Sequence, residues 1–283
     1  MGITRSGWKG NLFTIAFFLF GMVMTPFAMA GDITIWDGMG TNPGTGSSGE
    51  NNEVEPNCVQ LQKWDLEAFY LKGSQLYLVG GFDFINGVEG FKSGDIFIKS
   101  TAGAPLFGPA NTGSLGGGGS TYPTVANGFG YDYVIDFGRA NGNLNGSYDV
   151  VGLTSDSIVS KSYFSQNGGS NPFQYVSGGT TLEQGTFTYY AGQTAQQVYD
   201  LLGDQSLSLE GSGIWAGNHN VLMVDLAFLG YGNEFYAHFT EGCGNDDLMG
   251  HGTTAPVPEP GTMVLLGSGL IGLAGFGRKR FRK

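Results

Sequence analysis

Basic residues are scarce. The chain of 283 residues has 13 Lys and Arg against 24 Asp and Glu, and seven of the 13 lie at its two ends: Arg5, Lys9, Arg278, Lys279, Arg280, Arg282 and Lys283. Between residues 10 and 277, six basic residues face 24 acidic ones, a formal balance of −18. So acidic a chain argues against nucleic acid and anionic lipid as partners of the central part. It suits cations, solubility outside the cell, or a hydrated polymer matrix. Signatures of catalysis are missing too. There is no G-x-S-x-G elbow, no H-E-x-x-H and no C-x-x-C. The three histidines, His219, His238 and His251, have no metal-ligand spacing, and His238 reads as a half-exposed strand residue.

Glycine is abundant, at 51 residues, more than twice the usual share of about 7%. No G-X-Y period is present, which excludes collagen. Together with 13 Tyr and 21 Phe, this density predicts an all-β fold with tight turns and long loops. A short strand is expected over 33–36, followed by a loop over 38–55. In WDLEAFYLKGSQLYLVGGFDF, Trp64, Leu66, Ala68 and Tyr70 alternate with Asp65, Glu67, Phe69 and Leu71. A turn at Lys72-Gly73-Ser74 and a second strand over 75–84, bulged at Gly80-Gly81, complete a hairpin. GDIFIKS, YDYVIDFG paired with GSYDVVGL, a strand over 186–190, NVLMVDLAFLG and EFYAHFTEG supply further strands. A loop is expected over 102–127. The segment 194–202 is the best helix candidate, with Ala195, Val198, Leu201 and Leu202 near one face. The expected fold is an antiparallel β-sandwich or jelly roll of nine or ten strands with one short helix.

Both ends read as addresses. Leu12 to Met24 is an apolar run behind Arg5 and Lys9, and Ala28-Met29-Ala30 is a small-x-small box, so residues 1–30 read as a signal peptide cut before Gly31. At the other end, Val257-Pro258-Glu259-Pro260 is an extended peptide. Residues 262–277 carry no formal charge and make a helix of about 24 Å at ~1.5 Å per residue, a short span of a ~30 Å hydrocarbon core. Arg278, Lys279, Arg280, Arg282 and Lys283 stay cytoplasmic by the positive-inside rule and place the rest of the chain across the membrane. A plain tail anchor is the alternative, but it leaves the Pro-Glu-Pro unexplained.

This order of Val-Pro-Glu-Pro, apolar run and basic cluster resembles the PEP-CTERM sorting signal of exosortase substrates. The same kind of segment is also labelled as the C-terminal domain of ice-binding proteins, a shared tail that says nothing of ice. The resemblance implies processing near the motif by a membrane-embedded cysteine protease-transpeptidase, transient anchoring through the C-terminal helix, and delivery to the envelope or extracellular matrix. The hairpin, GDIFI, YDYVIDF and HFTEGCGNDDLMG look like segments shared by some exosortase-dependent surface proteins. The strand order resembles carbohydrate-binding sandwiches at the level of fold alone.

Residues 31–256 form the expected exported domain. Its two cysteines, Cys58 and Cys243, are expected to pair in an oxidising compartment. The bridge would contribute about 3–5 kcal/mol in the chain-entropy account; two thiols are the alternative. Glu241, Asn245, Asp246 and Asp247 offer hard oxygen ligands in a glycine-flexed loop, a candidate calcium site. Glu50, Asn51, Asn52, Glu53 and Glu55 would approach it through the cysteine bridge. The carboxylate pairs Asp65/Glu67 and Asp132/Asp136 have the minimum equipment of a glycosidase but read as solvated outer faces of strands. Trp64 and Trp215 read as sugar platforms or core. The leading expectation is a non-enzymatic surface or matrix protein with a structural or adhesive role near exopolysaccharide or biofilm. A carbohydrate-binding module comes second and a polysaccharide hydrolase last.

Overall fold

The computed structural model of the chain describes residues 30–35, 61–101, 122–138, 146–163, 171–207, 209, 217–244 and 246–255. Its strands, in chain order, are β1 Ala30–Asp32, β2 Leu66–Lys72, β3 Gln75–Gly80, β4 Ile96–Lys99, β5 Thr124–Ala126, β6 Tyr133–Asp136, β7 Ser147–Gly152, β8 Ile158–Ser160, β9 Gln174–Ser177, β10 Thr180–Thr186, β11 Thr188–Gln193, β12 His219–Asp225, β13 Glu234–Thr240 and β14 Asp247–Thr253. Among the described residues one α-helix, α1, spans Ala195–Leu202. The expected all-β antiparallel sandwich holds.

Two sheets, ordered β1-β2-β3-β12-β11 and β10-β7-β6-β4-β13-β14, face each other, and a small third sheet is ordered β5-β8-β9. Leu66, Phe69, Leu71, Leu76, Leu78 and Leu222 from the first sheet meet Ile96, Ile98, Ile135, Val150, Phe235 and Phe239 from the second in one apolar core. The outer faces of both sheets are also covered. Ala68, Tyr70, Val79 and Val221 pack under Val198 and Leu202 of α1. Phe97, Val134 and Val151 pack against Val159 of the small sheet. Four layers therefore bury both parities of the central strands. That is why β2 reads apolar at nearly every position instead of alternating cleanly.

Local chemistry sets the joints. Lys72 pairs with Gln75, so the β2–β3 hairpin closes on Gly73-Ser74, and Gly73 takes the left-handed φ of 69° that such a two-residue turn requires. Helix α1 starts on a capping box: the Thr194 hydroxyl accepts from the Gln197 amide while the Gln197 side chain accepts from the Thr194 amide.

Several expectations change. Trp64 closes a 3-10 turn, Gln62–Trp64, before β2 begins. The bulge lies in β2 between Leu66 and Ala68, whereas Gly80 and Gly81 allow a close approach of backbones. A Cβ at Gly81 would stand 1.6 Å from the Gln62 carbonyl oxygen, and one at Gly80 2.6 Å from that of Asp65. Part of the loop expected over 102–127 is strand β5, while 102–121 lie outside the described residues. The EFYAHFTEG strand is not the last, because β14 follows it and pairs along all of β13.

The segment 30–35 sews the two main sheets together. Asp32 pairs with Tyr70 of β2. The Ile33 amide donates to the Phe69 carbonyl, the Ile35 amide to Met249, and the His251 amide to Ile33. At the other terminus the Ala255 amide donates to the Gly73 carbonyl at 3.2 Å. Ala30 pairs with Lys72, so both ends of the domain leave at the β2–β3 turn.

Candidate functional site

A cleft of about 710 Å³ opens at the other end of the sandwich, lined by Phe84, Asn86, Lys92, Asp95, Asp136, Phe137, Gln174, Tyr175 and Phe187 among others. The register places it. Glu234 pairs with Thr253 near the chain exit, and Thr240 pairs with Asp247 at the far end. Ser93 bridges to Glu241 just beyond Thr240. Six steps along β13 separate the two ends, about 20 Å at ~3.4 Å per residue.

Short turns build the walls. Asp83 accepts from the Ile85 and Asn86 amides, the Asn86 side chain and the Tyr189 hydroxyl, which fixes the bend that drives Phe84 into the core. Those hydrogen bonds hold the Asp83 carboxyl below the usual carboxylate range despite its burial. Gly94 must be glycine, because a Cβ there would lie 2.2 Å from the Thr240 carbonyl oxygen. Next to it, the buried Asp95 accepts from the Phe137 amide at 3.2 Å and the Tyr175 amide at 2.8 Å. One carboxylate thus ties β6 to β9 across the cleft. The Gln174 amide nitrogen donates to the Ser93 carbonyl at 2.7 Å. Asp136 accepts from the Gly138 amide. Burial, then the nearby Asp136 and Asp149, push the Tyr175 phenol up. The result is a mixed surface of aromatic rings, carboxylates and amides, with Lys92 exposed at its edge. Such a surface suits a polyhydroxylated ligand, which offers C–H faces to rings and hydroxyls to acceptors.

The expected calcium loop is the connection between β13 and β14, and its described carboxylates turn inward. Asp247 opens β14, and Glu241, Asp246 and Asp247 are all buried. Asn245 lies outside the described residues, as do Glu50, Asn51, Asn52, Glu53 and Glu55. Among the described residues no group of three His, Cys, Asp or Glu is arranged to hold a metal ion. The Asp246 carboxylate instead accepts from the Leu66 amide at 2.8 Å and the Asp247 amide at 2.9 Å. Burial, reinforced by Asp65, Asp247 and Glu241, pushes it well above the normal range. Burial also drives Glu241 up to about 8, against a Cys243 thiol that donates to its Oε1 at 2.6 Å. Among the described residues Glu241 Oε2 has no hydrogen-bond partner. Cys243 is buried; its expected partner Cys58 lies outside the described residues.

The first strand carboxylate pair departs from the expected solvated face, whereas Asp132 and Asp136 are partly exposed. Asp65 and Glu67 are buried, and the β2 bulge sends them to different partners. Asp65 faces Asp246, while Glu67 Oε2 stands 2.7 Å from His219 Nδ1 and its Oε1 accepts from Gln62. Asp132 is occupied as a cap, accepting from the Ser100 and Thr101 amides. His238, expected half exposed, is fully buried; its Nε2 lies 2.9 Å from the Pro172 carbonyl oxygen, and burial lowers its pKa to about 3. Trp64 is partly buried against the core, packed on Phe82 and Phe91. Trp215 lies outside the described residues.

Ala30 and Gly31 form the start of β1, and Ala28 lies outside the described residues. So do Val257, Pro258, Glu259, Pro260, the apolar run 262–277 and the basic cluster from Arg278 to Lys283. Among the described residues no helix is long and apolar enough to cross a membrane. Residues 256–280 match the PEP-CTERM protein-sorting motif. No curated protein matches the chain, and no solved structure does. The motif is that of an exosortase substrate, exported to the cell surface or the exterior.

Proposed function

We propose that the exported domain is a non-enzymatic structural and adhesive module of a polysaccharide-rich envelope or biofilm. In this reading the PEP-CTERM tail holds the chain in the membrane until exosortase processes it at Pro258-Glu259-Pro260. The observation that carries this reading is the polarity of the fold. The sorting motif follows Ala255 at one end, and the ring-and-carboxylate cleft opens at the other. A tethered domain would then present the cleft away from the bilayer. Intact-mass analysis of protein recovered from cells tests the processing: a chain from Gly31 to the neighbourhood of Pro258 is expected, and an undiminished C-terminal tail would overturn it.

The cleft favours carbohydrate binding as the basis of adhesion. Calorimetric titration with matrix oligosaccharides is expected to give binding that weakens about tenfold, or ~1.4 kcal/mol, in Phe137→Ala and in Asp136→Asn. Unchanged affinity in both variants would place the sugar elsewhere.

A further inference from the structure

The fold ends almost on top of the sorting motif. Thr254 is buried. Its amide donates to the Asn233 carbonyl at 3.0 Å, its carbonyl accepts from the Gly232 amide at 2.7 Å, and its hydroxyl donates to the Gly230 carbonyl at 2.5 Å. The next residue, Ala255, is held by Gly73. The matched motif begins at residue 256. From Ala255 to Glu259 is four residues, at most about 14 Å of extended chain. Peeling the strand end back to lengthen that reach would break the four backbone and hydroxyl bonds just named. A protein that grips Pro258-Glu259-Pro260 therefore meets the folded end of the sandwich.

What it meets is a turn with an aromatic at its tip. Tyr231 is 62% exposed, one of four large apolar side chains so placed among the described residues. It is followed by Gly232 at φ 77°, and Gly232 is hydrogen-bonded to the residue just before Ala255. An exposed tyrosine on a rigid turn is a favoured anchor for protein contacts, because its ring is large and loses little freedom on binding. We propose that the turn Tyr231–Asn233 is a docking surface for the membrane-embedded sorting protease, which then recognises the folded end of the domain together with the motif. This rests on the exosortase reading above.

The full chain, expressed with its protease, tests it by pulse-chase measurement of the processing rate. Four chains are compared with the original: Tyr231→Ala, an eight-residue Gly/Ser spacer between Ala255 and Pro256, both changes together, and Glu259→Ala. Tyr231→Ala is expected to slow processing about tenfold, the equivalent of one lost interface anchor, with an unchanged melting temperature. The spacer chain should be slowed to a similar degree, and the doubly changed chain no further. Processing of Tyr231→Ala at the original rate would overturn the proposal. So would a spacer chain cut faster than the original, which would make the folded end an obstacle. An equal loss of binding by Tyr231→Ala to protease-free vesicles would assign the surface to lipid and overturn it as well. Continued processing of Glu259→Ala would instead overturn the sorting reading itself.

Discussion

Glu67 and His219 form a buried ion-pair geometry, Oε2 to Nδ1 at 2.7 Å, with both side chains sealed from solvent. Their strands are separated by β3, which pairs with both. The contact is made over the end of that strand, where β3 stops at Gly80 and the β2 bulge swings Glu67 out of register. Gln62 completes the group by donating to Glu67 Oε1 at 2.8 Å. Removing one partner of such a pair strands a buried polar group and costs about 3–5 kcal/mol, whereas replacing both with apolar residues costs far less. Urea unfolding of Glu67→Leu and His219→Leu should each show a large loss. The double variant should recover much of it, and additive losses would mean that the pair is not coupled.

Stability should fall as pH rises from about 4.5 to 8. Glu241 has a folded pKa of about 8 and Asp246 is raised with it, so through this window the folded state retains protons that the unfolded chain has released. The unfolding free energy therefore declines with pH. Between about 4.5 and 6.5 the buried His238, lowered to about 3, offsets one of these two groups, since the unfolded chain then binds the extra proton. Melting temperatures at several pH values should decline most steeply between about 6.5 and 8, with the maximum on the acid side of 6.5. Glu241→Gln should flatten the alkaline limb, and a limb of unchanged slope would remove Glu241 as its source.

Gly81→Ala should be among the most damaging single-methyl changes in the protein. The added carbon would lie 1.6 Å from the Gln62 carbonyl oxygen and 2.5 Å from its carbon. Both neighbours are backbone, so the 3-10 turn must move away from β3. Overpacking of this kind costs about 1–3 kcal/mol or more. The readout is the urea midpoint, with Gly90→Ser at an open turn as the comparison; Gly90 has nothing within 4 Å of its added carbon but carries a positive φ, so a small loss is expected there.

Thr194→Ala should cost about 1 kcal/mol through loss of the helix cap. Because Val198 and Leu202 of α1 cover Tyr70, Val79 and Val221, the loss should appear in global unfolding and as faster hydrogen exchange in α1. An unaltered exchange rate would show that packing alone fixes the helix.

The strands with clear alternation, and the helix with its capping box, were legible because each carries its own local signal. Tyr133 to Asp136 and Ser147 to Gly152 pair as their patterns suggest. Strand β14 was hidden because Gly250 and Gly252 break its apolar pattern. Those glycines pass close to Phe69, Leu71 and Ile33, where a Cβ would be tight. The burial of Asp65 and Glu67 was hidden for another reason. A period of two distinguishes faces but does not reveal the bulge between Leu66 and Ala68, which sends the carboxylates toward Asp246 and His219. The cleft left almost no trace, since its walls come from turns far apart in sequence that meet around Asp95. The sole local hint was the Gly94-Asp95 step ahead of β4.

The seam at Thr34 and Gly250 has a consequence for timing. The leading segment pairs early with β2 on one side, but its bridge to Gly250 must wait until β14 has emerged from a membrane pore. Such long-range pairing is slow to form. In an exported chain the leading and trailing segments are thus fastened to each other only as the tail arrives.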